Sequence, residues 1–163
     1  MKILKTYQEL YESIVKELDF SDQNLKELPE LPGGLEKLKC SYNQIEELPE
    51  LPDTLKILEC SDNKIEELPE LPETLKELEC SKNKLKELPE LPSTLEFLGC
   101  SDNKLRELPE LPKGLKQLYC SGNNLTYSDI EGYWKWYHEY YPVHYPEKYR
   151  EYLKKQKVKK FHL

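Results

Sequence analysis

Between residues 15 and 125, apolar side chains return at fixed places in a 20-residue frame, and polar residues fill the positions between them. Leucines stand at 35, 55, 75, 95 and 115, and again at 38, 58, 78, 98 and 118. Cysteines follow at 40, 60, 80, 100 and 120, asparagines at 43, 63, 83, 103 and 123, and Leu or Ile at 45, 65, 85, 105 and 125. Leu-Pro-Glu-Leu-Pro runs 28–32, 48–52, 68–72, 88–92 and 108–112. Self-similarity at such a period predicts a solenoid, because no copy can bury its apolar positions alone and each relies on its neighbours.

Each copy divides into two limbs. Leu38-Lys39-Cys40 alternates with period two, which predicts a half-buried strand with Leu and Cys inward and Lys outward. Asn43 falls just after it, where an amide can both donate to and accept from backbone groups at a bend; stacked copies would form an asparagine ladder. Leu48-Pro-Glu-Leu-Pro52 carries two prolines, which exclude a helix interior and predict an extended or polyproline-like return. Turn chemistry at Gly33-Gly34, Asp53-Thr54, Glu73-Thr74, Ser93-Thr94 and Lys113-Gly114 brings the chain to the next strand.

The two ends depart from the frame as caps would. Thr6-Tyr-Gln-Glu9 is a capping box, and Tyr7, Leu10, Tyr11 and Ile14 follow at helical spacing, so a short helix is expected from Tyr7 to Val15 over the open end of the stack. Phe20 takes the Cys place and Gln23 the Asn place in the first copy. Ser128-Asp-Ile-Glu131 is a second capping box, opening an aromatic helix through Trp134, Trp136 and Tyr141 that Pro142 ends; Pro146 then opens another. The expected organisation is residues 1–24 as an N-terminal cap with an atypical first repeat, 25–125 as repeats, and 126–163 as an aromatic, basic C-terminal cap.

The spacing Leu-x-x-Leu-x-Cys-x-x-Asn-x-Leu resembles the leucine-rich repeat, with Cys in place of the third Leu. The 20-residue length and the Leu-Pro-x-Leu-Pro half resemble the short bacterial class found in secreted effectors of the YopM and IpaH type, and in some giant-virus proteins. The match covers residues 15 to 125. It implies an α/β leucine-rich repeat solenoid with parallel strands on a concave face, an extended convex side and helical caps. It also implies a non-catalytic scaffold that recognises another protein or peptide on that concave sheet. The ubiquitin-ligase domain that follows the repeats in IpaH-type proteins has no room in the stretch after Leu125.

Composition alters this picture little. Charged residues make up 34% and apolar ones 37%, which is lean for a compact globule but workable for a core that extends in one dimension. Five cysteines at one register read as buried thiols; neither a disulfide set nor a zinc site fits, since no close Cys pair exists. No apolar run approaches a membrane span and no signal-peptide core follows Met1, so a cytoplasmic location is expected. The net charge of −7 is uneven: residues 142–163 carry +5 and the remainder −12, which disfavours nucleic acid along the main surface. Glutamates form two files, at 27, 47, 67, 87 and 107 and at 30, 50, 70, 90 and 110, expected to repel one another across the stack. No nucleophile, base, phosphate loop or metal spacing suggests an enzyme, and no cofactor is implied.

Function should therefore lie in the outward strand positions, which packing leaves free to vary. The candidate partner-binding set is Lys37, Lys39, Ile57, Glu59, Glu77, Phe97, Gln117 and Tyr119, with exposed Phe97 and Tyr119 as its focus. A monomer is expected. The near-identical copies equally suit an idealised or consensus-built scaffold with no evolved partner.

Overall fold

A computed structural model describes residues 14–127 together with Tyr11, Gly132 and Tyr133. Six strands of three residues each form one parallel sheet in chain order: β1 (Glu17–Asp19), β2 (Lys37–Lys39), β3 (Ile57–Glu59), β4 (Glu77–Glu79), β5 (Phe97–Gly99) and β6 (Gln117–Tyr119). Pairing advances by one repeat, so Leu18, Leu38, Leu58, Leu78, Leu98 and Leu118 stand in a single row. A slip of one residue would turn every one of these leucines to water, which is why the hydrophobic frame fixes the register.

The strands start one residue before the alternating segment, at Lys37 and its equivalents, and the cysteines follow them. Ladder bonding nevertheless continues through the cysteines: the Cys40 N–H donates to the Glu59 carbonyl at 2.8 Å, and Cys60 N–H to that of Glu79 at 2.8 Å. Leu35, Leu38, Cys40 and Ile45 are fully shielded from solvent, and so are their equivalents in the next three copies. Burying a leucine contributes about 1.5–3 kcal/mol, and here each depends on the copies above and below it.

Between residues 15 and 127 no helix forms, as the paired prolines require. Leu51, Leu71, Leu91 and Leu111 on this return limb point into the core. A tight turn then closes each copy, with the Leu55 N–H donating to the Pro52 carbonyl at 3.0 Å and the same bond at Leu35, Leu75, Leu95 and Leu115. Threonine ties these turns together. The Thr74 hydroxyl sits 2.6 Å from the Asp53 carbonyl oxygen and 2.8 Å from that of Leu55 in the copy before it.

The bend after each strand has two components. Tyr42, Asp62, Lys82, Asp102 and Gly122 adopt positive φ, from 53° to 69°, which swings the chain out of the sheet. The next residue is the asparagine, and its amide then drops under the bend. Asn63 Nδ2 donates to the Cys40, Cys60 and Ser61 carbonyls at 2.9, 3.1 and 3.2 Å, and its Oδ1 accepts from Ile45 N–H at 3.0 Å. Asn43, Asn83, Asn103 and Asn123 repeat the pattern, so the expected ladder is present and consists of side chain to backbone bonds.

At the first end Tyr11 and Ile14 are helical, and Val15 N–H donates to the Tyr11 carbonyl at 3.1 Å. At the other, Tyr133 is buried against the last copies, meets Tyr127 edge-on at 5.3 Å, and its hydroxyl accepts from Leu111 N–H at 3.4 Å. Tyr127 and Tyr133 thus pack against the core at this end. The rest of the two helices expected at 7–15 and 128–141, and the helix expected from Pro146, lie outside the described residues. No helix among the described residues is long and apolar enough to cross a membrane.

Candidate functional site: the outward face of the sheet

All eight candidate residues project from one face of the sheet. Parallel register sorts them into two rows: Lys37, Ile57, Glu77, Phe97 and Gln117 in one, and Lys39, Glu59 and Tyr119 in the other, where Glu79 and Gly99 complete the row. A groove of about 580 Å³ runs along this face from Asp19 on β1 to Phe97 on β5. Its rim on the bend side is made by Tyr42, Asp62 and Lys82, the residues with positive φ.

On the first three strands both lysines pair with a carboxylate of a neighbouring strand. Lys37 reaches Glu17 at 3.3 Å and Lys39 reaches Glu59 at 3.7 Å. The bond to Glu17 raises the Lys37 ammonium above its ordinary range, while backbone and hydroxyl bonds from Ser21 hold the Asp19 carboxyl below its own. These exposed pairs add little stability, and they leave the Asp19 carboxylate outside any ion pair among the described residues.

Beyond β3 the character changes. Phe97 and Tyr119 meet across β5 and β6 at 5.7 Å with planes tilted by 48°, and Tyr119 stays 54% exposed. A large aromatic surface left open beside polar residues is a typical anchor for a partner. Ile57 and Phe97 are only partly exposed, and Gln117 is exposed. Structure therefore unites Phe97 with Tyr119 and places Lys37 and Lys39 in ion pairs at the opposite end.

Sequence reasoning left Glu79 and Gly99 out of the candidate set. Glu79 Oε1 accepts from Ser81 N–H at 3.1 Å and from the Ser61 hydroxyl at 3.0 Å, so its carboxylate is held in place. It lies over Gly99, which is buried, and a Cβ at Gly99 would come within 2.5 Å of Glu79 Cδ. The available signal was a lone glycine within a strand, which often marks the close approach of another group.

Nothing on the described residues gathers three His, Cys, Asp or Glu side chains as a metal would need. The cysteines lie behind the sheet. Burial pushes the Cys40 thiol up to about 12 and raises those of Cys60, Cys80 and Cys100 well above their usual range, so they are held as neutral thiols. On the return limb both glutamate files are exposed, and no member of either forms an ion pair among the described residues. Lys86 pairs at 3.5 Å with Glu66, which belongs to neither file.

No family model matches the chain, and no curated relative does. Solved structures do. YopM from Yersinia enterocolitica matches 64% of this chain at 50% identity and a TM-score of 0.63, over 23% of its own length. A Shigella effector leucine-rich repeat domain matches 69% at 44% identity and a TM-score of 0.68, over 51% of its length. YopM from Yersinia pestis, described as a leucine-rich effector protein, matches 67% at 37% identity and a TM-score of 0.55, over 38% of its length. The chain thus spans from about a quarter to a half of each protein it resembles. With its 20-residue register, inward leucine row and asparagine ladder, it has the leucine-rich repeat solenoid fold and is similar to these effector repeat domains.

Proposed function

We propose that this chain is a non-catalytic protein-recognition module that takes a segment of a protein partner on the outward, concave face of its sheet, with Phe97 and Tyr119 as anchors. The observation that carries this reading is the pairing of half-buried Phe97 with exposed Tyr119 at the end of a groove crossing five strands. Its likeness to effector repeat domains supports an interaction role. The rigid sheet supports it too, because a preformed face loses little conformational freedom on binding. The protein acts as a monomer in this reading, with one partner per solenoid.

Capture experiments with the purified chain test it. Proteins retained by the wild type should be lost with Phe97→Ala/Tyr119→Ala, and kept by Glu67→Ala/Lys86→Ala on the return limb, at matched melting temperatures. Retention by the aromatic double variant would move recognition off the sheet.

A further inference from the structure

The partner segment can be assigned a chemistry, and this assignment rests on the sheet face being the docking surface. The groove is lined by the carboxylates of Asp19, Glu59, Asp62, Glu77 and Glu79 against the ammoniums of Lys39 and Lys82, a net of −3. Both ammoniums are committed: Lys39 pairs with Glu59 at 3.7 Å, and Lys82 with Asp62 along the rim at 3.5 Å. The unmatched charge is therefore negative, and Glu77 and Glu79 place most of it on β4, where neither enters an ion pair among the described residues. Glu77 is exposed and stands in register between Ile57 and Phe97, so its carboxylate is flanked by apolar side chains on both sides.

Aromatic rings stand at both ends of this acidic stretch. At one end Phe97 carries the Tyr119 ring at 5.7 Å. At the other is Tyr42, on the rim just beyond β2, 62% exposed and with a φ of 59°. The equivalent left-handed positions hold Asp22, Asp62, Lys82, Asp102 and Gly122, so Tyr42 is the aromatic exception among them. Asp and Gly enter this backbone region more readily than a large ring does. A tyrosine held there in water is a cost that folding does not require, and strain of this kind gathers at binding surfaces. Because β2 and β5 lie three strand spacings apart, Tyr42 and Phe97 are separated by at least about 14 Å, or about four residues of extended chain.

We propose that the groove takes an extended, basic segment of the protein partner, with one apolar residue against Tyr42, another against the Phe97–Tyr119 pair at least four positions away, and a lysine or arginine between them. Alternate side chains of an extended chain point the same way, so a spacing of apolar-x-basic-x-apolar presents all three to the sheet. The stem of the basic residue lies along Ile57 and Phe97 while its head reaches the Glu77 carboxylate. An acidic segment would be repelled, and an uncharged one would take carboxylates out of water without compensation.

The test uses the full chain and a random dodecapeptide phage library, followed by synthetic copies of the tightest peptide. Selected peptides should share a basic residue between two apolar ones, and replacing it with norleucine should weaken binding about tenfold, the scale of one lost charge-assisted hydrogen bond. Glu77→Gln should cause a similar loss, and added sodium chloride should weaken the wild-type complex. Tyr42→Gly should also weaken it about tenfold, as removal of an anchor does, although this change relieves the backbone and does not lower the melting temperature. Peptides without the pattern, no selected peptide, or indifference to either Glu77→Gln or Tyr42→Gly would overturn the assignment. If Phe97→Ala/Tyr119→Ala abolishes binding while Glu77→Gln and Tyr42→Gly do not, the docking face stands and this chemistry falls; if none of them matters, both fall. Tighter peptide binding, by about tenfold, in Lys154→Glu/Lys155→Glu/Lys157→Glu would make the chain's own basic end the occupant. A dimer in light scattering that Phe97→Ala dissolves would make it a second copy, and either result overturns the proposal.

Discussion

Asn83 Nδ2 donates to the carbonyl oxygen of Cys60 at 3.0 Å, across 23 residues of chain, while its Oδ1 accepts from Ile65 N–H at 3.1 Å. One side chain thus completes the backbone bonding of the previous copy as well as its own, through Cys80 and Ser81. Stacking of leucines gives the solenoid its cohesion, and this amide lets the bends be buried without orphaned polar groups.

Asn83→Ala should therefore cost about 3 kcal/mol or more, since several shielded backbone groups lose their partner at about 1–3 kcal/mol each. Urea denaturation measures it. Asn123→Ala, in the last copy, should cost less, because Asn123 is less shielded than Asn83. Equal costs would mean that burial does not set the strength of the ladder.

The buried thiols make a second expectation. In the native protein none of the five cysteines should react with a thiol-specific reagent at neutral pH, and all five should react once the chain is unfolded. Rapid alkylation of the folded protein would contradict the inward register.

Their titration also sets an alkaline limit. Cys40, Cys60, Cys80 and Cys100 have folded pKa values raised above the ordinary 9.0, so the unfolded chain gives up these protons first. Their contribution is whole below about pH 9 and is lost as pH climbs toward the value of about 12 at Cys40. Stability measured by urea should fall across that window. Cys60→Ala, though less stable at pH 7, should fall less steeply.

Left-handed backbone at the bends provides a third test. Tyr42 holds a φ of 59° with a side chain that is 62% exposed. L-residues are strained there by about 1–2 kcal/mol, partly offset in a glycine by its greater chain entropy. Tyr42→Gly should raise stability by about 0.5 kcal/mol. Gly122→Ala should lower it by about 1 kcal/mol, because φ is 69° and the added Cβ would crowd Asp102.

The glutamate files predict a response to salt. Glu47, Glu67 and Glu87 stand exposed one strand spacing apart, about 4.8 Å, with no cation paired to them among the described residues. Added sodium chloride should raise the melting temperature by screening their repulsion. A flat or falling response would show that solution counterparts already neutralise them.

Much of this protein was determined by its sequence alone. A period fixed at 20 residues, with leucine and cysteine on one side of each short strand, permits a single register, because any other exposes the whole apolar row. The paired prolines ruled out helices on the return limb by chemistry that needs no tertiary context. Phe97 and Tyr119 stood out for the same local reason: they are large and apolar where the frame calls for polar residues. Tertiary structure decided which outward residues meet. Lys37 pairs with Glu17 and Lys39 with Glu59, while Glu79 folds over Gly99, and none of this follows from position in a repeat. The physical reason is that burial is set by a pattern the chain repeats, whereas surface contacts depend on which side chains fall side by side one turn apart, and those differ from copy to copy.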